Sequence, residues 1–110
     1  MKYKPRPDAL ASRTYQLPLH GEVFIVLGKR KRDKQAFEVF CYGTALDSHL
    51  RATLEGLTRM VSLALRYNIP QREIVEQLSG IQCCTAFIGN GQKILSIPDA
   101  IGQVLNGKIE

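Results

Sequence analysis

Residues 95–101, with the sequence LSIPDAI, carry several signals for the start of a helix. Ser96 is a good N-cap, because its hydroxyl can accept a hydrogen bond from a backbone N–H that lacks a helical partner. Asp99, three residues later, can reach back to the N–H of the cap residue, and its charge suits the positive end of the helix dipole. Pro98 fits the first turn because the N–H that it lacks would be unpaired there. The sequence therefore predicts a capping box and a last helix that ends at Asn106.

The size and composition of the chain fit one compact domain. It has 110 residues, of which 45% are hydrophobic and 23% are charged. A chain of this length and composition can bury a hydrophobic core without disulfide bonds or structural metal ions. No apolar run approaches the ~20 residues that span a bilayer, and the N-terminus lacks the apolar segment of a signal peptide. The cysteines are odd in number and two of them are adjacent, which suits a reducing compartment. We expect a cytoplasmic protein without membrane contact.

The first part of the chain predicts a small antiparallel sheet. Residues 1–13 carry four basic residues and two prolines, so we expect a basic segment without regular structure, followed by a domain over residues 14–110. Strand-forming residues then occupy 15–17, 22–27 and 36–42, with a break at Pro18, His20 and Gly21. The run Val23-Phe24-Ile25-Val26-Leu27 predicts a largely buried central strand.

Helical patterns follow the strands. Asp47 or Ser48 can cap a long helix that ends at Asn68, and Pro70 can open a short one that stops at Gly80. The apolar stripe of the long helix is Leu50, Leu54, Leu57, Val61 and Ala64, widened by Met60 and Leu65. Asn90-Gly91 predicts a hairpin turn. The predicted fold class is α+β: one domain in which a small antiparallel sheet from residues 15 to 42 is covered on one face by two to three helices.

Four segments resemble one known family when they are taken in order. These are FEVF at residues 37–40, LALR at 63–66 with Ile69-Pro70 beyond it, EIVEQLSGI at 73–81 and SIPDAI at 96–101. The chain resembles the TSCPD domain, named for a Thr-Ser-Cys-Pro-Asp motif and found at the C-terminal end of adenosylcobalamin-dependent (class II) ribonucleotide reductases and as small free-standing proteins. Ile97 stands where that motif has its cysteine.

The resemblance implies a connection with ribonucleotide reduction. The chain is too short to contain the catalytic barrel of a reductase, so we expect a non-catalytic accessory or binding module that carries no cofactor itself. The resemblance implies a reductase large chain as a partner. A homodimer is a further possibility, since Phe40 and Tyr42 could form a dimer contact or lie beneath the helices.

A basic loop supports an alternative function. Five of the six residues from 29 to 34 are cationic, namely Lys29, Arg30, Lys31, Arg32 and Lys34. Such a cluster can contact the phosphate backbone of DNA or RNA without reading the base sequence. It is also an ordinary way to keep a hairpin tip in water, and no aromatic residue is interleaved with it. The corresponding loop of the long reductases tends to be acidic, so the resemblance also implies that this chain has changed its partner.

Other chemistry has less support in the sequence. Cys83-Cys84 could form a thiol redox or metal site, although a disulfide between adjacent cysteines closes a strained ring. His20 and His49 lie far apart, and no pair of ligands has the spacing of a structural zinc site, so we expect no metal. The carboxylate of Asp99 argues against an anion site at the helix start. We interpret Ser96, Pro98 and Asp99 as a structural motif and expect no catalytic residues.

Overall fold

A computed structural model describes residues 3–83, 86–89 and 91–109. Within these residues the chain forms five strands and three helices. Their order is β1 (Ala11–Leu17), β2 (Val23–Lys29), β3 (Glu38–Gly43), α1 (Ser48–Arg66), α2 (Gln71–Leu78), β4 (Phe87–Gly89), β5 (Gln92–Ile94) and α3 (Ile97–Leu105). The α+β class is confirmed.

The main sheet is antiparallel, with the strand order β1-β2-β3. The predicted central position of β2 is confirmed, and its Val23 pairs with Leu17 on one side and with Gly43 on the other. The chain turns between β1 and β2 at His20 and Gly21, whose φ angles are +48° and +85°. The predicted break between the two strands lies at this turn.

The first strand begins earlier than the sequence predicts. β1 starts at Ala11, four residues before the expected start at Tyr15, so the prediction that residues 1–13 lack regular structure is wrong for residues 11–13. Every residue of β1 has an antiparallel partner in β2, from Ala11 opposite Lys29 to Leu17 opposite Val23. Pairing with a long, well-packed neighbour therefore outweighs the weak strand propensity of these residues.

One face of the sheet carries the core. Val23 and Ile25 of β2 and Val39 of β3 are fully buried in the same cluster as Leu65 of α1 and Ile101 of α3. Because strand side chains alternate between faces, the residues between them point the other way. We call that side the open sheet face and define it by Phe24, Val26, Phe40 and Tyr42, of which Phe40 and Tyr42 are exposed.

Helix α1 has the predicted cap but a shifted buried stripe. The Asp47 carboxylate accepts a hydrogen bond from the Leu50 N–H at 2.8 Å. Met60, expected to widen the apolar stripe, is 65% exposed, whereas the polar side chains of Thr58 and Ser62 are buried. The reason is that α1 lies along β3, where Ser62 Oγ donates to the Val39 carbonyl and accepts from the Val39 N–H, both at 3.0 Å.

The predicted end of α1 and the predicted start and end of α2 are confirmed. Asn68 adopts a φ of +64° directly after Tyr67, the C-cap of α1, and α2 starts directly after Pro70. Gly80 follows the end of α2 with a φ of +83°, a conformation that glycine adopts at little cost. Helix α2 packs against α3 through its buried residues Ile74 and Leu78.

The predicted hairpin is present as β4 and β5, which pair antiparallel from Phe87 opposite Ile94 to Gly89 opposite Gln92. Gly91 has a φ of +75°, and the turn residue Asn90 lies outside the described residues. Among the helices of the described chain, none has the length and apolar character needed to cross a bilayer.

Candidate functional site

The helix-start motif is held by contacts within the chain. Ser96 Oγ accepts a hydrogen bond from the Asp99 N–H at 3.1 Å, which makes Ser96 the N-cap of α3. The same hydroxyl donates to the Ile81 carbonyl at 2.6 Å and so joins α3 to the segment after α2. Pro98 lies in the first turn, and Ile97, at the position of the family's cysteine, is buried in the core.

Asp99 is a buried carboxylate surrounded by N–H donors. Its Oδ1 accepts from the Gly80 N–H at 2.9 Å, and its Oδ2 accepts from the Leu95 N–H at 3.0 Å and from Gln103 Nε2 at 2.9 Å. The sequence predicts a reach back to the N–H of Ser96, and the structure corrects this to the N–H of Leu95. The extended backbone of the cap residue puts the preceding N–H within reach of the carboxylate. Both oxygens of Asp99 are thus bonded inside the protein.

The basic loop is organised around an acid. Asp33 accepts hydrogen bonds from Arg30 Nε at 2.7 Å and from Arg30 Nη2 at 3.1 Å, and Lys4 Nζ lies 3.7 Å from its Oδ2. Hydrogen bonding from Arg30 lowers the pKa of Asp33 below its ordinary value. Arg30 is therefore engaged within the loop, although the sequence groups it with the candidate phosphate contacts.

The aromatic ring of Phe37 lies beneath the basic loop. Phe37 is fully buried, and three cations lie over its ring, with Lys4 Nζ at 5.6 Å, Arg30 Cζ at 5.4 Å and Arg66 Cζ at 5.2 Å from the centroid. Cations within about 6 Å of an aromatic face are attracted to it. Lys4, Arg30 and Arg66 therefore stabilise the packing of Phe37.

The other loop cations point to solvent. Lys29, Lys31, Arg32 and Lys34 are exposed, and none has a carboxylate within 4.0 Å among the described residues. A groove of about 830 Å³ lies beside Lys29, Lys31 and Arg32. Residues 29–32 line it on one side, and Pro7, Ala9, Leu10 and Ala11 line it on the other. We call this the basic groove; its N-terminal wall was not predicted, since residues 1–13 carry no strong structural signal.

The N-terminal segment is fixed across the domain by Glu38. The Glu38 carboxylate accepts from Arg6 at 2.9 and 3.2 Å and from Arg66 Nη2 at 3.2 Å. Hydrogen bonding to Glu38 raises the pKa of the Arg6 guanidinium. The Lys4 N–H also donates to the Arg66 carbonyl at 2.9 Å, and the rings of Tyr3 and Tyr67 lie 5.0 Å apart. These contacts place the N-terminal wall of the basic groove.

The cysteines occupy unlike environments. Cys83 is exposed and its N–H donates to the Leu95 carbonyl at 3.0 Å, while Cys84 lies outside the described residues. Burial raises the pKa of the Cys41 thiol to about 11. In the described part of the chain, no three His, Cys, Asp or Glu side chains are close enough to hold a metal ion.

The open sheet face lies on the side opposite the helical core. Phe40 is 43% exposed and Tyr42 is 53% exposed, and the rings of Phe24 and Tyr42 stack with centroids 5.1 Å apart. Two shallow grooves flank Phe40, one of about 590 Å³ that includes Arg51 and one of about 360 Å³ that includes Arg59. The sequence suggests a dimer contact or the underside of the helices, and the structure excludes the second.

Comparison of the sequence with models of known protein families identifies one family. The family model described as TSCPD domain matches residues 1–107 of the 110-residue chain. The match takes in the N-terminal segment as well as the four segments that carry the resemblance in the sequence. Comparisons with curated proteins and with solved structures found no significant match. The chain therefore belongs to the TSCPD domain family.

Proposed function

We propose that this chain is a non-catalytic binding module that acts as an accessory to a class II ribonucleotide reductase. The observation that carries the proposal is the family match over residues 1–107. The resemblance to the reductase domain implies a reductase large chain as the partner of this module.

The chemistry of the described residues supports a binding role over a catalytic one. The side-chain oxygens of the motif residues Ser96 and Asp99 form hydrogen bonds within the chain. Asp47 caps α1, and Glu55 pairs with Arg59 on the surface. These carboxylates and the Ser96 hydroxyl therefore have partners within the chain, which is the arrangement of a structural motif.

A reduction assay tests this proposal. We expect the purified chain alone to reduce no ribonucleotide and to raise the turnover of a class II reductase large chain that lacks its own TSCPD domain. Asp99→Ala, which loosens the motif, should weaken that effect, and Ile88→Ala on the hairpin serves as a surface control. No change in turnover at saturating concentrations of the chain would contradict the proposal.

A second candidate function is supported by the basic groove. Lys29, Lys31 and Arg32 line the groove, and Lys34 lies further along the same loop. None of the four cations has a carboxylate partner in the described structure, so they are available to a phosphate backbone. Arg30 is excluded from this set because Asp33 holds it.

Binding to labelled DNA or RNA across a salt series tests the second function. The informative variant changes the four exposed cations to Gln and keeps Arg30, so that the loop remains folded. We expect affinity to fall steeply as salt rises and the variant to show a shallower salt dependence. Equal binding by both proteins at every salt concentration would eliminate the basic groove as a phosphate contact.

A further inference from the structure

The open sheet face presents aromatic rings that the described chain leaves uncovered. Phe40 and Tyr42 lie two residues apart on β3 and share one face, and the ring of Phe24 stacks on Tyr42 from the neighbouring strand. Met60 and Leu63 of α1 extend the exposed apolar surface beyond Phe40. Contiguous exposed surface of this kind marks interaction sites.

Cations flank the rings. Arg51 lines the groove on one side of Phe40, together with Tyr42, and Arg59 lines the groove on the other side. Glu55 also lines the first groove and lies 3.1 Å from Arg59, but both side chains are largely exposed. An exposed pair of this kind is weak, so Arg59 is available to an anionic ligand.

We propose that the open sheet face binds single-stranded nucleic acid, with bases stacked on Phe40 and Tyr42 and with phosphates beside Arg51 and Arg59. Aromatic side chains on a sheet, next to cationic grooves, form the usual platform for unpaired bases.

The spacing of the rings suits splayed bases. Residues two apart on a strand are separated by about 6.7 Å, twice the rise of roughly 3.3–3.4 Å per residue, which an extended single strand can span between successive bases. The bases of a duplex are stacked on one another and cannot lie on a protein ring. Thr14, on the same face as Phe24 and Val26, is exposed and can hydrogen-bond to base edges, whereas the side-chain amide of the neighbouring Gln16 donates to the Glu22 carboxylate.

Charge favours this ligand over a second copy of the chain. The formal net charge is +5, so two copies of the chain repel each other overall, and this face has Arg51 and Arg59 beside its rings. Like charges in an interface oppose association, whereas a polyanion gains from them. The inference goes beyond the second candidate function, because it places base contacts on residues that do not line the basic groove, and either one can fail alone.

Fluorescence anisotropy with labelled oligothymidylate and oligouridylate, and with a duplex of equal length, tests the proposal. We expect tighter binding of the single strands than of the duplex. Phe40→Ala and Tyr42→Ala should each weaken single-strand binding by about fivefold or more, because each removes a stacked base, and leave duplex binding unchanged. Ile88→Ala, which truncates an even more exposed apolar side chain on the hairpin, should bind like the unmodified chain.

The salt dependence separates stacking from charge. Tyr42→Ala should leave the slope of log affinity against log salt unchanged, whereas Arg51→Gln with Arg59→Gln should make it shallower. A loss of single-strand binding in the four-cation variant of the basic groove, with no loss in Tyr42→Ala, would overturn the inference while leaving the second candidate function intact.

Photocrosslinking keeps the test decisive if a variant fails to fold. An oligonucleotide with iodouridine, irradiated with the unmodified chain, should crosslink at Phe40 or Tyr42. Crosslinks confined to the basic groove would overturn the proposal. So would sedimentation that shows a dimer in the unmodified chain and a monomer in Tyr42→Ala, because a second copy would then cover the face.

Discussion

Ser62 Oγ lies 3.0 Å from both the backbone nitrogen and the backbone oxygen of Val39. One helix side chain thus takes the place of a neighbouring strand at the free edge of β3. An uncovered edge offers its N–H and C=O groups to other chains, and a covering helix removes that hazard.

Ser62→Ala should reduce the free energy of unfolding by about 1–3 kcal/mol, because it leaves the buried N–H and C=O of Val39 unpaired. Urea denaturation measures the change. Thr53→Ala removes an exposed α1 hydroxyl that bonds only to the His49 carbonyl, and should change stability by no more than about 0.5 kcal/mol. Equal effects of the two substitutions would show that Ser62 has no special role at the edge.

Asp99→Asn should destabilise the fold by about 1–3 kcal/mol, since an amide nitrogen would face one of the N–H donors that the carboxylate now accepts from. Thermal or urea unfolding detects the loss. The matched control is Asp47→Asn at the exposed N-cap of α1, where Asn caps as well as Asp. Retained stability in Asp99→Asn would mean that the motif carboxylate is not held as described.

Asp33 should titrate below its ordinary pKa of 3.8, because Arg30 hydrogen-bonds to its ionised form. A lowered folded pKa contributes stability that is present above the unfolded pKa and is lost as pH falls through the folded one. Carboxyl NMR should therefore give a midpoint below 3.8 for Asp33. Arg30→Gln should move that midpoint upward, and Lys31→Gln should leave it nearly unchanged. A midpoint unaffected by Arg30→Gln would contradict the loop geometry.

Thiol alkylation should distinguish Cys83 from Cys41. At mildly alkaline pH we expect Cys83, which is exposed, to react quickly and Cys41 slowly, because burial limits access and raises the Cys41 pKa to about 11. The rate at Cys41 should keep rising with pH toward that value. Mass spectrometry of peptides from a Cys84→Ser variant measures each site, and equal rates at both cysteines would count against the burial of Cys41.

The local signals of the chain predict much of its fold. Helix boundaries depend on hydrogen bonds and φ angles within a few residues, so the sequence predicts them. Examples are the N-caps Ser96 and Asp47 and the positive φ angles of Asn68 and Gly80. The α+β class follows from the order of the patterns.

Contacts between distant residues could not be predicted in the same way. Met60 has the right spacing for the apolar stripe but is exposed, because α1 lies along the β3 edge and turns Ser62 inward. The alternating pattern of the strand places Glu38 among its polar positions, which are typically exposed. Its carboxylate is nevertheless buried by Arg6 and Arg66, which lie 32 and 28 positions away in the sequence. The open sheet face likewise depends on which side the helices cover.

Sedimentation velocity of this chain with a class II reductase large chain that lacks its own TSCPD domain tests the proposed accessory role most directly. We expect a boundary that contains both proteins and moves faster than the large chain alone. Separate boundaries for the two proteins, at concentrations well above those of a working complex, would contradict the proposed role.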